Sequence, residues 1–185
     1  GGIVGSGYNG YNISDVFVNG NIQGATAGGI VGTSESSCGY RYINNAVAFG
    51  TVNGSTASGG IVGAYISQSC YVTQLNNSYA NTTQPGAGTK GGVIGSMSAS
   101  SVSITNTHYD DTATADCIGS SVSSSTPTLE CTAHASDLTV PSDAPYLSWD
   151  FTNVWENDGG LPKLKFPLSS PTGPGAPTDL LVNEG

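Results

Sequence analysis

Few side chains in this sequence can do acid–base, nucleophilic or metal chemistry, and their scatter limits what they can be for. Paired carboxylates facing each other across a groove would suit glycoside hydrolysis. Of the thirteen acidic residues, however, only Asp15 and Glu35 precede the group Asp110, Asp111 and Asp116. Lyase chemistry wants a base flanked by charge stabilisers, and the cations before the last third are Arg41 and Lys90 alone. His108 and His134 stand among serines and aspartates, but no Gly-x-Ser-x-Gly elbow accompanies them. "YDDTATAD" from Tyr109 and "ENDGG" from Glu156 are rich in oxygen ligands, yet neither follows the twelve-residue Ca²⁺ loop, so both read as solvated acidic turns. The four cysteines, Cys38, Cys70, Cys117 and Cys131, include no C-x-x-C pair of the zinc type. On these grounds no catalytic residue, metal site or cofactor is assigned, and the chain reads as something other than an enzyme.

What such residues hang on is a repeat. "GGIVG" occurs at Gly1, Gly28 and Gly59, and "GGVIG" at Gly91. Downstream of each copy lie "ISDVFVNGNIQG" from Ile13, "INNAVAFGTVNG" from Ile43, "LNNSYANTTQPG" from Leu75 and "ITNTHYDDTATA" from Ile104. Three columns follow from this alignment. Ile13, Ile43, Leu75 and Ile104 form one; Asp15, Asn45, Asn77 and Asn106 a second; Phe17, Val47, Tyr79 and His108 a third. Self-similarity at a period of about 30 residues signals a solenoid, a propeller or an array. The segments are short, β-branched and aromatic, with no 3.6-residue periodicity, so the units are β. A propeller blade needs about 40 residues or more, which leaves one coil of a solenoid.

The expected fold is therefore all-β, a parallel β-helix or β-solenoid of about four coils of ~30 residues with a C-terminal cap. Equivalent residues of successive coils should stack about 4.8 Å apart as ladders. Ile3, Ile30, Ile61 and Val93 are expected inside, and the Asn column at a corner, amide to amide. The glycine pairs Gly1–Gly2, Gly28–Gly29, Gly59–Gly60 and Gly91–Gly92 suit sharp bends that need positive φ or close backbone approach. Repeats three and four carry Thr82 and Asp111 where Gly20 and Gly50 stand, and should be irregular there.

The motif "GGIVG", then an aliphatic residue, then Asn two positions on, then "G-x-V-x-G", resembles the GLUG repeat of large secreted and surface-anchored bacterial proteins. The resemblance covers residues 1–114. "THYDD" at Thr107 and "LSWDFTNVWENDGGLPKLKF" from Leu147 are similar to the segment that closes such repeat runs. The resemblance implies an extracellular, adhesin-like protein.

The register also bears on the cysteines. Cys38 lies five residues before Ile43 and Cys70 five before Leu75, so they share a column of adjacent coils. Stacked neighbours fall within the Cα separation a disulfide requires. The expected pairs are Cys38 with Cys70 and Cys117 with Cys131, the alternative being buried free thiols. Disulfides belong to an oxidising compartment, which agrees with an extracellular or cell-surface location.

Three parts are expected: the repeats at 1–114, a disulfide-looped, aromatic-rich cap at 115–168 and a Pro/Gly-rich linker or tail at 169–185. Trp149 and Trp155, with Tyr146, Phe151, Val154, Leu161 and Leu164, offer enough apolar area to cover an open coil, or to line a ligand cleft. Thr178, Asp179, Leu180, Leu181 and Val182 are strand-like and could dock on a neighbour. Since the chain opens directly in a repeat, it reads as a fragment or as a subunit whose first coil is covered by another molecule. Head-to-tail contact of that kind propagates into a filament. With four basic residues and a net charge of −9, neither nucleic acid nor anionic membrane is an expected partner, and no apolar run reaches the roughly 20 residues of a membrane helix. The leading reading is a non-enzymatic structural protein, a solenoid part of a surface adhesin or a self-assembling filament, whose partners are other copies or other domains of a longer protein. The alternative is a glycan or cell-surface ligand module using Tyr8, Tyr11, Tyr40 and Tyr42; a polysaccharide-active enzyme ranks below both.

Overall fold

In the computed structural model, residues 1–8, 10–36, 39–67, 73–98, 102–110, 116–121, 128–134, 146, 149–156 and 161–165 are described. Their strands, in chain order, are β1 (Val4–Tyr8), β2 (Tyr11–Gly28), β3 (Val31–Ser36), β4 (Arg41–Gly59), β5 (Val62–Ser67), β6 (Thr73–Asn76), β7 (Tyr79–Thr83), β8 (Thr89–Gly91), β9 (Ile94–Ser98), β10 (Val102–Asp110), β11 (Ile118–Ser121), β12 (Thr128–His134), β13 (Trp155–Glu156) and β14 (Lys163–Leu164). There is no helix among the described residues, hence none long and apolar enough to cross a membrane.

The strands stack as the repeat demands. One sheet runs β1-β3-β5-β9-β11 and the other β12-β10-β6-β4-β2, with β7 and β8 also pairing β4. Every pairing within these two sheets is parallel. This is a β-solenoid of about three full turns, slightly fewer than the four coils expected. The first three repeats run the whole circuit, whereas the fourth is described only as far as Asp110 on its second sheet.

All three columns hold in register: Ile13 pairs Ile43, Ile43 pairs Leu75 and Leu75 pairs Ile104; Phe17 pairs Val47, Val47 pairs Tyr79 and Tyr79 pairs His108. The corner column is the most distinctive. Asp15, Asn45, Asn77 and Asn106 all adopt the left-handed region, with φ of 56, 52, 47 and 48°. Asp and Asn are the side chains that tolerate it at least cost. Each turns its strand at the same level, and the corner groups bond up the stack: Asn45 Nδ2 donates to Asp15 Oδ1 at 2.8 Å and Asn106 Nδ2 to Asn77 Oδ1 at 3.4 Å. A second amide ladder runs beside it, Asn76 Nδ2 donating to Asn44 Oδ1 at 2.8 Å.

The glycine pairs are explained by close approach rather than by positive φ. A Cβ on Gly29 would lie 2.5 Å from the Ala48 methyl, and one on Gly60 2.5 Å from the Ala80 methyl. Ala48 and Ala80 are themselves adjacent in one ladder. The two sheets thus pinch together at this level, and Gly faces Ala because nothing larger fits. Between these glycine corners and the Asn corners lies the apolar core, with Ile30, Ile61 and Val93 fully buried and bonded in sequence, Ile30 N–H to Ile61 C=O at 2.9 Å and Ile61 N–H to Val93 C=O at 3.0 Å. Ile3 continues the ladder but stays half exposed, on the first, outermost rung of the stack. Gly50, at φ 97°, aligns with Gly20 and Thr82. The third repeat loses that glycine, yet Thr82 stays in register with Gly50 inside β7; the path of the unbroken β4 is interrupted on either side, at 77–78 and 84–88, so the irregularity expected at Thr82 falls beside it and not on it. Asp111, its counterpart in the fourth repeat, lies outside the described residues.

Two different pieces follow the repeats. β11 and β12 add a further rung to the two sheets, and a disulfide joins Cys117 to Cys131 with an S–S distance of 2.09 Å, the pairing expected. Cys38 and Cys70 lie outside the described residues, as do Thr178, Asp179, Leu180, Leu181 and Val182. The aromatic segment takes another position from the open coil suggested above: it packs on the flank of the second sheet. Tyr146, Trp149, Trp155 and Leu164 form one buried cluster with Val47 and Tyr79.

Candidate ligand groove

Side chains alternate across a strand, and β4 makes the consequence plain. Ile43, Ala46 and Ala48 belong to the solenoid core, whereas Val47 belongs to the aromatic cluster outside it. The column Phe17, Val47, Tyr79 and His108 therefore faces outward. Two residues on, the next outward column is Asn19, Phe49 and Asn81, and then Asn21, Thr51 and Thr83.

The aromatic lobe covers part of this surface. Trp149 lies 4.2 Å from Trp155 between ring centroids, and Tyr79 stacks on Trp149 at 6.1 Å. Polar atoms fix the docking: Trp149 Nε1 donates to the Asn106 carbonyl at 3.1 Å, and the Tyr79 hydroxyl to the Pro162 carbonyl at 2.8 Å. Burial, followed by the nearby Tyr146, pushes the Tyr79 phenol well above its ordinary value. Within the lobe, Asp150 accepts from the Thr152 and Asn153 amides at 2.9 Å each and from Asn153 Nδ2 at 2.9 Å. Those bonds, the Asn153 side chain first, hold its carboxyl below the usual range. Lys165 Nζ closes the turn on the Phe151 and Thr152 carbonyls at 2.9 and 2.7 Å.

Beside the lobe, among the described residues, the sheet forms a groove of about 810 Å³. Its floor carries Phe17, Phe49 and Tyr79, its polar margin Asn19, Asn81 and the threonines, and its wall Leu161 and Lys163 of the lobe. Phe17 is 49% exposed. Its ring stands 5.6 Å from Phe49, which meets Tyr79 edge-on at 5.5 Å. Thr51 and Thr83 share a hydroxyl contact of 3.1 Å. This volume lies in the range of small-ligand sites, which pair an apolar floor with a few placed polar groups.

The tyrosines named from sequence divide. Tyr8 and Tyr40 are exposed, and Tyr40 stacks on Tyr42 at 6.2 Å with ring planes 9° apart. Tyr11 instead turns inward, its hydroxyl 2.9 Å from that of buried Ser34, and burial raises its pKa. None of the four lines the groove. Its own residues were in the aligned repeats but carried no signal until the inward and outward columns were known.

Three of the groups considered for catalysis, Arg41, His108 and Asp15, are engaged elsewhere. Arg41 is fully buried, with its guanidinium 5.0 Å above the Tyr65 ring, and Tyr65 in turn hydrogen-bonds Thr73. His108 lies edge-on to Tyr146 at 4.9 Å and beside Trp149 at 5.8 Å. Asp15 stands at the corner, bonded to Asn45. No group of three His, Cys, Asp or Glu residues is placed to hold a metal ion among the described residues.

No family model matches the chain, and neither a curated protein nor a solved structure matches it.

Proposed function

We propose that this chain is a structural module of an extracellular surface protein of the adhesin type, a stiff solenoid that spaces and displays rather than catalyses. The observation that carries this reading is the in-register ladder of both sheets, turned in each of the four repeats by a left-handed Asp or Asn. Such a stack resists bending because each rung is hydrogen-bonded to the next along its length. The Cys117–Cys131 disulfide supports an oxidising location. The structural employment of Arg41, His108 and Asp15 supports a non-enzymatic role.

Peptide mapping of the protein recovered from its source tests the location. An intact Cys117–Cys131 link in material from outside the cell is the expected result; both thiols free in a cytosolic fraction would overturn it. A filament is the second reading, favoured by one feature. Among the described residues β1 and β2 are each paired on one side only, so a further rung from the same polypeptide or from another copy would extend both sheets. Negative-stain electron microscopy over a concentration series separates the two: regular fibres favour self-assembly, and discrete particles at all concentrations favour a module of a longer protein.

A further inference from the structure

We infer that the groove beside the aromatic lobe is a binding site for a neutral oligosaccharide, a function additional to the structural role. Charge points this way first. The chain carries thirteen acidic residues, yet among the described residues no carboxylate lines the groove, and Lys163 is the one ionic group that does. Among those residues a cationic ligand finds no counter-charge.

Topology excludes a strand as occupant. The floor is the face of a sheet whose central strand, β4, is already paired with β2 on one side and with β6, β7 and β8 on the other. The open edge of β2 points along the stack, in the plane of the sheet, so a strand added there would lie beside the groove and not on its floor. What the floor does offer is side chains in a grid. Rungs repeat about every 4.8 Å and outward columns about every 6.8 Å along the strands. In one column Asn19 and Asn81 flank Phe49, and in the next Thr51 and Thr83 sit side by side. A sugar ring has an apolar C–H face and a rim of hydroxyls that both donate and accept. The half-exposed Phe17 ring matches the face. An amide supplies one acceptor and two donors, and a threonine hydroxyl one donor and two acceptors, which suits the rim. Leu161 closes one side, so a short stretch of chain lies along the flank of the rod, against the lobe.

The test is a heteronuclear NMR titration of the intact, oxidised protein with short neutral oligosaccharides of glucose, xylose, mannose, galactose and N-acetylglucosamine, to roughly 5 mM. Saturable shifts centred on Phe17, Asn19, Thr51 and Asn81 are expected for at least one of them. Phe17→Ala should weaken that binding about tenfold or more, and Tyr40→Ala, in the separate exposed tyrosine pair, should leave it unchanged. If Phe17→Ala does not fold, Asn19→Ala, at an exposed position, serves in its place. Absence of binding across the panel would overturn the inference. So would binding lost in Tyr40→Ala but kept in Phe17→Ala, or binding confined to polyuronates and lost in Lys163→Gln. Dimerisation abolished by Phe17→Ala would assign the groove to a second copy instead.

Discussion

Adding one methyl group at Gly60 should damage this fold more than most larger changes on its surface. The new Cβ would stand 2.5 Å from the Ala80 methyl and would also collide with the Gly92 carbonyl oxygen. Two carbon atoms need about 3.5–4.0 Å, so the sheets must part by roughly 1 Å or the rungs must slide. Either movement stretches the ladder bonds at that corner, Gly29 N–H to Gly59 C=O at 3.3 Å, Gly60 N–H to Gly91 C=O at 3.2 Å and Ile61 N–H to Val93 C=O at 3.0 Å. Overpacking of a close-packed site costs about 1–3 kcal/mol and each weakened bond about 1 kcal/mol, which together give about 2–4 kcal/mol for Gly60→Ala. In a chain of this size that lowers Tm by roughly 5–15 °C. The matched control is Gly20→Ala, where an added Cβ meets nothing within 4 Å; it should be neutral, or stabilising by about 0.4–1 kcal/mol through the unfolded state. Urea denaturation of both variants, followed by circular dichroism, reads the difference directly. Equal stability of the two, or a Gly60→Ala cost below about 1 kcal/mol, would refute the account of why the repeat begins with paired glycines.

At the opposite corner, Asn45→Ala should cost about 1–2 kcal/mol, since alanine resists the φ of 52° and the bond to Asp15 is lost; Asn45→Gly should cost less, and chemical denaturation of the pair checks the order. Loss of Cys117–Cys131, which closes a sequence separation of 14, should remove about 3 kcal/mol, seen as a lower Tm of a Cys117→Ser, Cys131→Ser double variant than of the parent, both measured without reductant. Tyr79 governs the alkaline limit. Its folded pKa is raised above the ordinary 10.0, so its contribution is intact below that pH and is lost as pH rises beyond it, because the unfolded chain ionises first. Stability measured from pH 8 to 11 should fall at the alkaline end, and Tyr79→Phe should flatten the decline.

The repeat made most of the solenoid legible, because identical spacing forces identical placement. The Ile13 and Asp15 columns were correctly aligned from letters alone, and the left-handed corner follows from finding Asp or Asn at all four levels. Two things were not legible, for one physical reason. Alternation along a strand fixes which residues share a face but not which face is inside, and the corner at residue 15 interrupts the alternation. Phe17 and Tyr79 look as apolar as Ile13 and Leu75, so nothing in their letters shows that they point out. Hence the aromatic segment was expected over an open coil, when its partners, Val47 and Tyr79, lie on the flank. A ligand cleft lined by the tryptophans was the alternative expectation; the groove takes Leu161 of that segment but neither Trp149 nor Trp155, and its floor was missed because the wall exists only once the lobe is docked.

Differences between the repeats now acquire a meaning that their similarities lack. Inward positions are held to apolar side chains, mostly Ile, Val, Leu and Ala with a few larger ones such as Tyr65 and Met97, by a close-packed core, and the corners to Asp or Asn by backbone conformation. Outward positions carry neither constraint, and there the rungs diverge: Phe17, Val47, Tyr79 and His108 occupy one column, and Asn19, Phe49 and Asn81 the next. That divergence places the two functions of the flank side by side. Tyr79 and His108, on the later rungs, receive the lobe, while Phe17 and Asn19, on the first, remain open beside it. A solenoid of identical rungs would dock the lobe at any level or at none. Exchanging Phe17 and Tyr79 should therefore loosen the lobe without disturbing the core ladders, because the altered side chains lie outside them. The expected signature is faster proteolysis near Trp155, with strand amides such as Ile43 still protected from hydrogen exchange; loss of protection in both regions together would mean that rod and lobe fold as one unit.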